Sequence, residues 1–544
     1  MDIEPVLPSV TMPNHPVYLA SRRMFLKGAA ATALLVSSTA LTPALNAATP
    51  QSGPFDFESF SQRMKDLAAQ SHQPPAPLAS AFYANLDYDG YRRVQFNTER
   101  AKWIGDGHGY QVHGFPMGWL FKEPVTVFEI VDGDSHSIEF GGDDFNYFMD
   151  GEMKEAAESA SFPGVAGFRI NYPINRPEVA DELVSFLGAS YFRALGRDNI
   201  YGLSARGLLI NSWRDGPEEF PRFSEFYLEK PAEPGPMTLY AALESPSVTG
   251  AYRFIIHPAG EDRQETVMEV TARLYFREAV AELGIAPLTS MFLFDDTNRA
   301  GFDDYRPQVH DSNGLLLEPS EGEPMWRPLN NAEWLGNSYL QDPSVKAFGL
   351  YQRGRAFETY QDAGAHYERR PSLRVEPIGD WGPGSVRLIE IPSKLEADDN
   401  IVAFWIPETP VAAGDEREFS YRLIWGDLLP DPEAQLAHVA ETRIGLGGVS
   451  GVANDATLRK FVIDFAGGEL QEMHPDTPFD VEATVSAGSI VSTAFSRIPA
   501  NGMWRLVLDV DTAGQTLVEL KASVGTEGRP LTETWIYQWR GAVA

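Results

Sequence analysis

Short strand-like runs of apolar residues, several of them interrupted by polar positions, dominate the chain and predict a protein built mainly from β-strands. In the first 426 residues these runs lie at 125–131, 167–172, 237–243, 252–257, 267–276, 386–391 and 401–406. Turn-forming residues separate them, with 47 glycines and 40 prolines in the chain. Few helical segments are available to cover parallel crossovers, so antiparallel sandwiches are favoured over a doubly wound sheet. The predicted fold class is all-β.

Helical spacing of apolar residues is found in two places. Apolar residues recur every three to four positions from Phe57 to Ala68, which predicts a helix there. A second short helix is predicted to begin at Pro177 and to carry Val179, Leu183 and Phe186 on one face.

The length and the strand spacing predict two folded domains, since 544 residues exceed what one hydrophobic core usually serves. The proline-containing segment that begins at Asp427 interrupts the strand pattern and precedes a short predicted helix, so the linker is placed at 427–437. The main domain then covers 50–426. Strand-like runs at 460–465, 479–487, 504–510, 517–524 and 534–539 predict a small immunoglobulin-like sandwich at 438–544.

The first 47 residues have the features of a twin-arginine signal peptide. Arg22 and Arg23 precede an alanine-rich apolar stretch, and Ala44 and Ala47 are candidate cleavage positions. A membrane-spanning or amphipathic N-terminus is the alternative, but the apolar run is shorter than the ~20 residues that a spanning helix needs. Export to the periplasm is therefore predicted, and no later stretch is long and apolar enough to span a bilayer.

Charge and composition narrow the classes of ligand. A formal charge of −32 argues against nucleic acid as a partner, because binding a polyanion requires a basic surface. The chain has no cysteine, which excludes disulfides and thiolate metal sites. It also lacks the common metal and nucleotide motifs, so no metal or cofactor is predicted. The aromatic content of 12% suits flat polar ligands such as sugars.

Candidate chemistry is concentrated between residues 295 and 392, where carboxylates, arginines and aromatics alternate with turn residues. Glycoside hydrolysis needs two carboxyl groups, together with aromatic faces that hold the sugar. In Gly379-Asp380-Trp381-Gly382, a tight turn would lift the carboxyl into a cleft while the indole raises its pKa. The alternative is a turn aspartate that bonds its own backbone. Arginines paired on the surface and tryptophans buried in the core are the corresponding alternatives for the other residues of this region.

Several motifs resemble the family of periplasmic glucan biosynthesis proteins G and D, which is involved in osmoregulated periplasmic glucans. They are the segments Gly118 to Val125, Phe168 to Pro173, Gly188 to Gly196 and Tyr201 to Leu208, together with the region from 295 to 392. The resemblance implies a large mutarotase-like β-sandwich joined by a short helical linker to an immunoglobulin-like domain. It also implies β-1,2-glucan as ligand and, for the D-type branch that carries a twin-arginine leader, an inverting endo-β-1,2-glucanase.

The resemblance implies that Asp380 is the general acid. The general base is left open between Asp304, as first choice or relay, and Asp311 or Asp296 behind it. The expected sugar contacts are Tyr305, Arg306, Trp326, Trp334, Arg355, Tyr360, Arg369, Glu376 and Trp381.

Three functions stay open at this point. The favoured one is glucan hydrolysis, with or without transfer or cyclisation. A non-catalytic glucan-binding assembly factor is the alternative, and mutarotation of a single sugar rests on fold analogy alone. A homodimer and contact with periplasmic glucan synthesis machinery are both compatible with the resemblance.

Overall fold

The computed structural model describes residues 53–213, 217–448, 451 and 457–541. Strands account for 47% and helices for 10%, which confirms the all-β prediction. The predicted signal peptide at 1–47 lies outside the described residues. No helix among the described residues has both the length and the apolar character that crossing a bilayer requires.

The helices are short. They are α1 (Phe57–Ala68), α2 (Ala81–Ala84), α3 (Tyr88–Arg92), α4 (Gly151–Ser159) and α5 (Phe357–Tyr360). The first agrees with its prediction. The Asp56 side chain caps it by accepting a 2.9 Å hydrogen bond from the Ser59 amide. Phe60 and Met64 on its buried face pack against tyrosines of the sheet beneath, which include Tyr227.

Most of the chain before residue 427 consists of strands. They are β1 (Gly53–Pro54), β2 (Val94–Phe96), β3 (Gln111–Pro116), β4 (Thr126–Val131), β5 (Asp134–Ser137), β6 (Phe145–Tyr147), β7 (Val165–Arg176), β8 (Val179–Leu187), β9 (Tyr191–Ala194), β10 (Ser204–Arg206), β11 (Leu208–Ile210), β12 (Arg222–Glu229), β13 (Met237–Glu244), β14 (Val248–His257), β15 (Thr266–Phe276), β16 (Leu283–Ser290), β17 (Phe292–Phe294), β18 (Val309–His310), β19 (Gly314–Glu318), β20 (Met325–Pro328), β21 (Gly336–Asp342), β22 (Ala347–Tyr351), β23 (Ser372–Ile378), β24 (Gly384–Glu390), β25 (Ile401–Pro407) and β26 (Glu416–Gly426).

The strands after this point are β27 (His438–Leu446), β28 (Leu458–Ala466), β29 (Asp480–Val485), β30 (Ser489–Arg497), β31 (Trp504–Asp511), β32 (Leu517–Thr526), β33 (Arg529–Pro530) and β34 (Thr534–Arg540).

Two large sheets form the main body. The first has the order β1-β5-β4-β12-β13-β14-β15-β26-β23-β22-β19-β20-β34-β32-β29, and the second has the order β21-β24-β25-β16-β10-β9-β8-β7-β3. Their facing side chains share one buried cluster. For example, the ring centroids of Phe186 in β8 and Phe254 in β14 are 5.5 Å apart. The outer face of the second sheet is therefore available for loops and ligands.

The prediction of a helix that begins at Pro177 is wrong, because the residues from Val179 to Leu187 form strand β8. Pro177 instead occupies the two-residue turn of a hairpin in which Arg176 pairs with Val179. Residues 183–187 are all buried, since both faces of the strand are covered at this point. Continuous burial removes the alternation that identifies a strand, and the spacing of Leu183 and Phe186 then imitates a helix.

The C-terminal strands form a second sandwich that shares a sheet with the first. The sheet β27-β28-β31-β30 packs against β34, β32 and β29 around Trp504 and Trp535. In addition, β34 pairs in parallel with β20, with Trp535 opposite Trp326. The domain boundary at 427–437 stays a prediction. The prediction of a short helix there is wrong, since these residues form turns and loops.

Candidate active site

A cavity of about 510 Å³ lies on the outer face of the second sheet. Side chains of a strand alternate between its two faces, so the neighbours of core residues must point outward. Phe192 of β9 is buried in the core, and its neighbours Tyr191 and Arg193 line the cavity. Ser185 of β8 and Ser204 of β10 complete the floor in the same way.

One wall of the cavity is held together by Arg306. Its guanidinium is 2.8 Å from Asp304 Oδ2, 2.8 Å from Asp362 Oδ2 and 2.9 Å from Glu396 Oε2. These carboxylates come from three separate loops, and Tyr367 donates a further hydrogen bond to Glu396. The bonds from Arg306 lower the pKa of Asp304. Arg306 is therefore occupied by protein carboxylates and fixes the position of the wall.

The floor carries a buried carboxylate, Asp311. Its amide donates a 2.8 Å hydrogen bond to the carbonyl of Met291, which directly follows β16. Burial raises the pKa of Asp311, and the hydrogen-bonded Arg370 opposes that rise. The preceding His310 is buried, with its ring nitrogens 2.7 and 2.9 Å from the side-chain oxygens of Gln352 and Gln308. Burial lowers the pKa of His310 to about 4, so the ring is neutral near pH 7.

An arginine with unused donors stands in the centre of the floor. The guanidinium carbon of Arg193 lies 3.9 Å from the centroid of the Tyr201 ring. No described residue accepts a hydrogen bond from Arg193, although the side chain is half-buried. The Tyr201 hydroxyl donates to Glu182 and keeps the ring in place. Arg193 can therefore offer its N–H groups to a polar ligand.

Further carboxylates and aromatics line the same space. Asp399 is half-buried and comes from the loop that also carries Glu396. Near β3, Trp119 lines the cavity beside Phe115 and Phe121. The cavity thus combines carboxylates, an arginine with donors available and an aromatic surface, which is the set of groups that a polar ring-shaped ligand requires.

Asp380 does not reach this cavity. It is exposed in the hairpin between β23 and β24, where its Oδ1 accepts hydrogen bonds from the Gly382 amide at 2.8 Å and from Ser344 Oγ at 2.9 Å. These bonds lower the pKa of the carboxyl, contrary to the rise that was expected. The Trp381 indole does not shield it, because Nε1 donates to the Ser420 carbonyl and the ring packs into the core.

The structure brings only Arg306 and Asp311 of the other predicted residues to the cavity wall or floor. Asp304 reaches it only through Arg306, and Tyr305 beside it is 77% exposed. Trp326 and Tyr360 are buried. The remaining five are engaged elsewhere. Asp296 pairs with Arg443 at 3.3 Å, Trp334 donates to the Gly541 carbonyl, Arg355 donates to carbonyls that include that of Asp427, Arg369 donates to the Asp198 carbonyl, and Glu376 accepts from Arg374.

The sequence prediction missed Trp119, Tyr191, Arg193, Tyr201, Glu396 and Asp399. Trp119 and the segment from Tyr191 to Arg193 lie in the motifs that marked the family resemblance, so their position in the sequence was available as a signal. The order of strands that brings them into one cavity with Asp311 could not be read from the sequence.

Comparisons with known proteins agree on one family. The family model described as "Periplasmic glucan biosynthesis protein, MdoG" matches residues 55–539. The chain is 50% identical to a glucans biosynthesis protein G of Cereibacter sphaeroides, over 97% of this chain and 99% of the relative. It is 41% identical to a protein G of Rhodopseudomonas palustris, over 95% and 99% of the two chains.

The chain is also similar to a relative that is named as a protein D. A probable glucans biosynthesis protein D of Shewanella oneidensis is 38% identical, over 93% of both chains. Both names therefore occur among the relatives, and the D-type branch inferred from the leader stays a prediction.

Proposed function

This chain belongs to the family of periplasmic glucan biosynthesis proteins, MdoG, and we propose that it is a periplasmic endo-β-1,2-glucanase that inverts the anomeric centre. In this proposal it acts in the biosynthesis or tailoring of osmoregulated periplasmic glucans. Transfer to a second sugar hydroxyl is part of the same chemistry, since an alcohol can take the place of water.

The proposal rests on the cavity, which has carboxylates at one end and aromatic side chains at the other end of the same sheet. Asp311 lies beside the end of β16, and Phe115 belongs to β3 at the edge of the same sheet. The order β16-β10-β9-β8-β7-β3 contains five steps between neighbouring strands, or about 24 Å at about 4.8 Å per step. A site of this extent suits several units of a polymer and favours cleavage within a chain.

We assign the acid to Asp399 and the base to Asp311. Asp399 is half-buried in the wall, where a carboxyl can meet a glycosidic oxygen. Asp311 lies on the floor, and Arg370 favours its ionised form. A carboxylate with a raised pKa is a stronger base while it stays ionised, so it can activate water directly or through a bound hydroxyl.

This assignment replaces the expected pair of Asp380 and Asp304. The Asp380 carboxyl is exposed and its pKa is lowered, so it holds its proton poorly near pH 7. Asp304 is bound by Arg306 through both carboxylate oxygens, which favours a role in the wall. Arg193 would hydrogen-bond sugar hydroxyls between the two ends of the cavity.

To test the proposed hydrolase activity, the purified protein without its leader would be incubated with linear β-1,2-glucan. New reducing ends and the anomer first released would be followed by a colorimetric assay and by NMR. We expect cleavage with inversion in the wild type and in Asp380→Asn, and a loss of at least about 10²-fold in Asp399→Asn and Asp311→Asn. Binding of the glucan with no cleavage by the wild type would instead support the non-catalytic assembly factor.

We further propose that the twin-arginine leader at 1–47 directs export. Replacement of Arg22 and Arg23 by lysine should leave the protein in the cytoplasmic fraction, whereas the unchanged leader should deliver it to the periplasmic fraction. Equal delivery by both leaders would exclude this route.

A further inference from the structure

We propose that Trp119 forms a separate sugar-binding subsite at the β3 end of the cavity, where it stacks on a glucosyl unit remote from the bond that is cleaved. In this role Trp119 determines how strongly affinity and rate depend on the length of the glucan chain. The inference rests on the proposed function for the identity of the glucan.

The first argument is position. Trp119 follows β3 by three residues, whereas Asp311 is bonded to the residue that follows β16. These strands are five positions apart in the second sheet, so the two ends of the cavity are separated by about 24 Å along the sheet. One sugar ring cannot contact both ends. A ligand that reaches Trp119 from the carboxylates must be an oligosaccharide.

The second argument is the backbone. Trp119 has a φ of 50°, in the left-handed region that bulky residues seldom adopt. Gly118, with a φ of 137°, precedes it. Gly118 and Phe121 exchange two backbone hydrogen bonds of 2.8 Å, which close a tight turn and present the indole to the cavity. Backbone strain of this kind occurs mostly where a side chain must be held in a required direction.

The third argument is the surroundings of the indole. Its ring lies against three aromatic rings, with centroids 5.1 Å from Tyr88, 6.1 Å from Tyr91 and 5.7 Å from Phe121. These contacts support the indole, yet it is only half-buried, unlike the fully buried Trp405. A tryptophan that served only in packing would be buried, with no part of its indole exposed to the cavity.

The fourth argument is the available chemistry. No described residue accepts a hydrogen bond from Trp119 Nε1, and this atom is not one of the buried polar atoms that lack a partner, so it is accessible from the cavity. The neighbouring cavity residues Phe115, Phe121 and Leu187 carry no charge. This end of the cavity therefore suits a neutral ring with apolar C–H faces and hydroxyls at its edge, as in glucose.

The experiment measures binding of β-1,2-gluco-oligosaccharides of increasing length to the wild type, Trp119→Phe and Trp119→Ala. Trp213→Phe is the matched control, because Trp213 is 45% exposed and has a φ of 48° but does not line the cavity. Calorimetry gives the affinities, and tryptophan fluorescence reports contact with the indole. Circular dichroism verifies that each variant is folded.

We expect Trp119→Ala to lose about tenfold in affinity for long chains and nothing for the shortest oligosaccharides that bind, since an aromatic contact of this kind is worth about one factor of ten. In the wild type, long chains should quench fluorescence, and Trp119→Phe should lose that quenching whereas Trp213→Phe keeps it. On cleaved substrates, KM for long chains should rise while kcat is unchanged.

Equal losses at every length, or unchanged affinity for long chains, would overturn the subsite even if the wild type cleaves the glucan. If the wild type binds in a length-dependent manner without cleaving, and Trp119→Ala removes that dependence, the subsite stands and the hydrolase proposal fails. If the wild type binds no β-1,2-glucan, both proposals fail.

Discussion

Arg306 and Glu396 are joined by two hydrogen bonds, of 3.1 and 2.9 Å, although 90 residues separate them in the chain. The same guanidinium also binds Asp304 and Asp362. One cation therefore joins carboxylates from three loops, and the loop that carries Glu396 also carries the proposed acid Asp399. The position of that acid depends on an arginine that does not itself need to touch the sugar.

Replacement of Arg306 by alanine should release the wall and leave three carboxylates that repel each other. We expect kcat on β-1,2-glucan to fall by about 10²-fold, since small displacements of a reacting group have effects of this size. The surface arginine Arg422, 3.4 Å from Glu269, gives the control variant Arg422→Ala, which should retain full activity. Initial rates and thermal unfolding of both variants would be compared. A normal kcat in Arg306→Ala would contradict the positioning role.

The pair of Arg370 and Asp311 predicts a shift in the pH dependence of the rate. Asp311 must be ionised to act as a base, so activity is lost as the pH falls through its pKa. Arg370 lowers that pKa against the effect of burial. In Arg370→Met the pKa should rise, and the acidic limb of the pH–rate profile should move to higher pH.

The neighbour Arg369 provides the control for this shift, because it donates to the Asp198 carbonyl and does not line the cavity. Arg369→Met should keep the wild-type profile of kcat/KM against pH. A profile in Arg370→Met that stays in place, or moves to lower pH, would exclude Asp311 as the base.

Asp295 predicts a pH dependence of stability. Burial raises its pKa to about 7, although Thr297 donates two hydrogen bonds to it. Between about pH 4 and pH 7 the folded protein holds a proton that the unfolded chain has lost. Because of this group, the free energy of unfolding falls by about 1.4 kcal/mol for each pH unit in this range, and it falls no further above pH 7.

Asp295→Asn should remove that contribution, so the variant should gain stability relative to the wild type between pH 4.5 and pH 7.5. Urea unfolding at several pH values would measure the difference. Comparison with the wild type is needed because His310, whose pKa is lowered to about 4, contributes the opposite trend in the same range. A difference that is constant with pH would show that Asp295 does not titrate as expected.

A buried ion cluster ties the last strand to the main body. Glu390 accepts hydrogen bonds from Arg540 at 2.7 Å and from Arg327 at 3.2 Å, and all three side chains are buried. Arg540→Leu removes the shorter hydrogen bond to Glu390 and the bond to the Trp334 carbonyl, while Arg327 still pairs with Glu390, so the free energy of unfolding should fall by about 1–3 kcal/mol. Removal of the exposed ion pair in Arg529→Ala should cost less than about 1 kcal/mol. Chemical denaturation of the two variants would test the contrast.

The strands were predictable wherever one face of a strand is buried and the other is polar. The run at 504–510 was placed correctly within β31 because buried and half-buried residues alternate along it. The segment from Val179 to Leu187 was not, since its second half is covered on both faces. Continuous burial alone does not defeat the prediction, since the run at 401–406 was placed correctly in β25; it does so where the spacing of apolar residues also fits a helix.

The candidate site was only partly predictable because its parts are distant in the chain. The density of charged and aromatic residues led to Arg306 and Asp311, but Trp326 and Tyr360 in the same region are core residues. Arg193 and Trp119 come from more than a hundred residues upstream and share a cavity with Asp311 only through the order of strands in the second sheet. No local pattern specifies that order.

The parallel pairing of β20 with β34 also has a consequence for synthesis on the ribosome. Trp326 is made first and receives its neighbour Trp535 only when synthesis has reached a point 209 positions later in the chain. Until then β20 is an open edge, and the nascent protein must keep that edge from pairing with other chains. Completion of the first sheet therefore waits for the synthesis of β34, and a nascent chain that stalls before this strand is made would be exposed to aggregation.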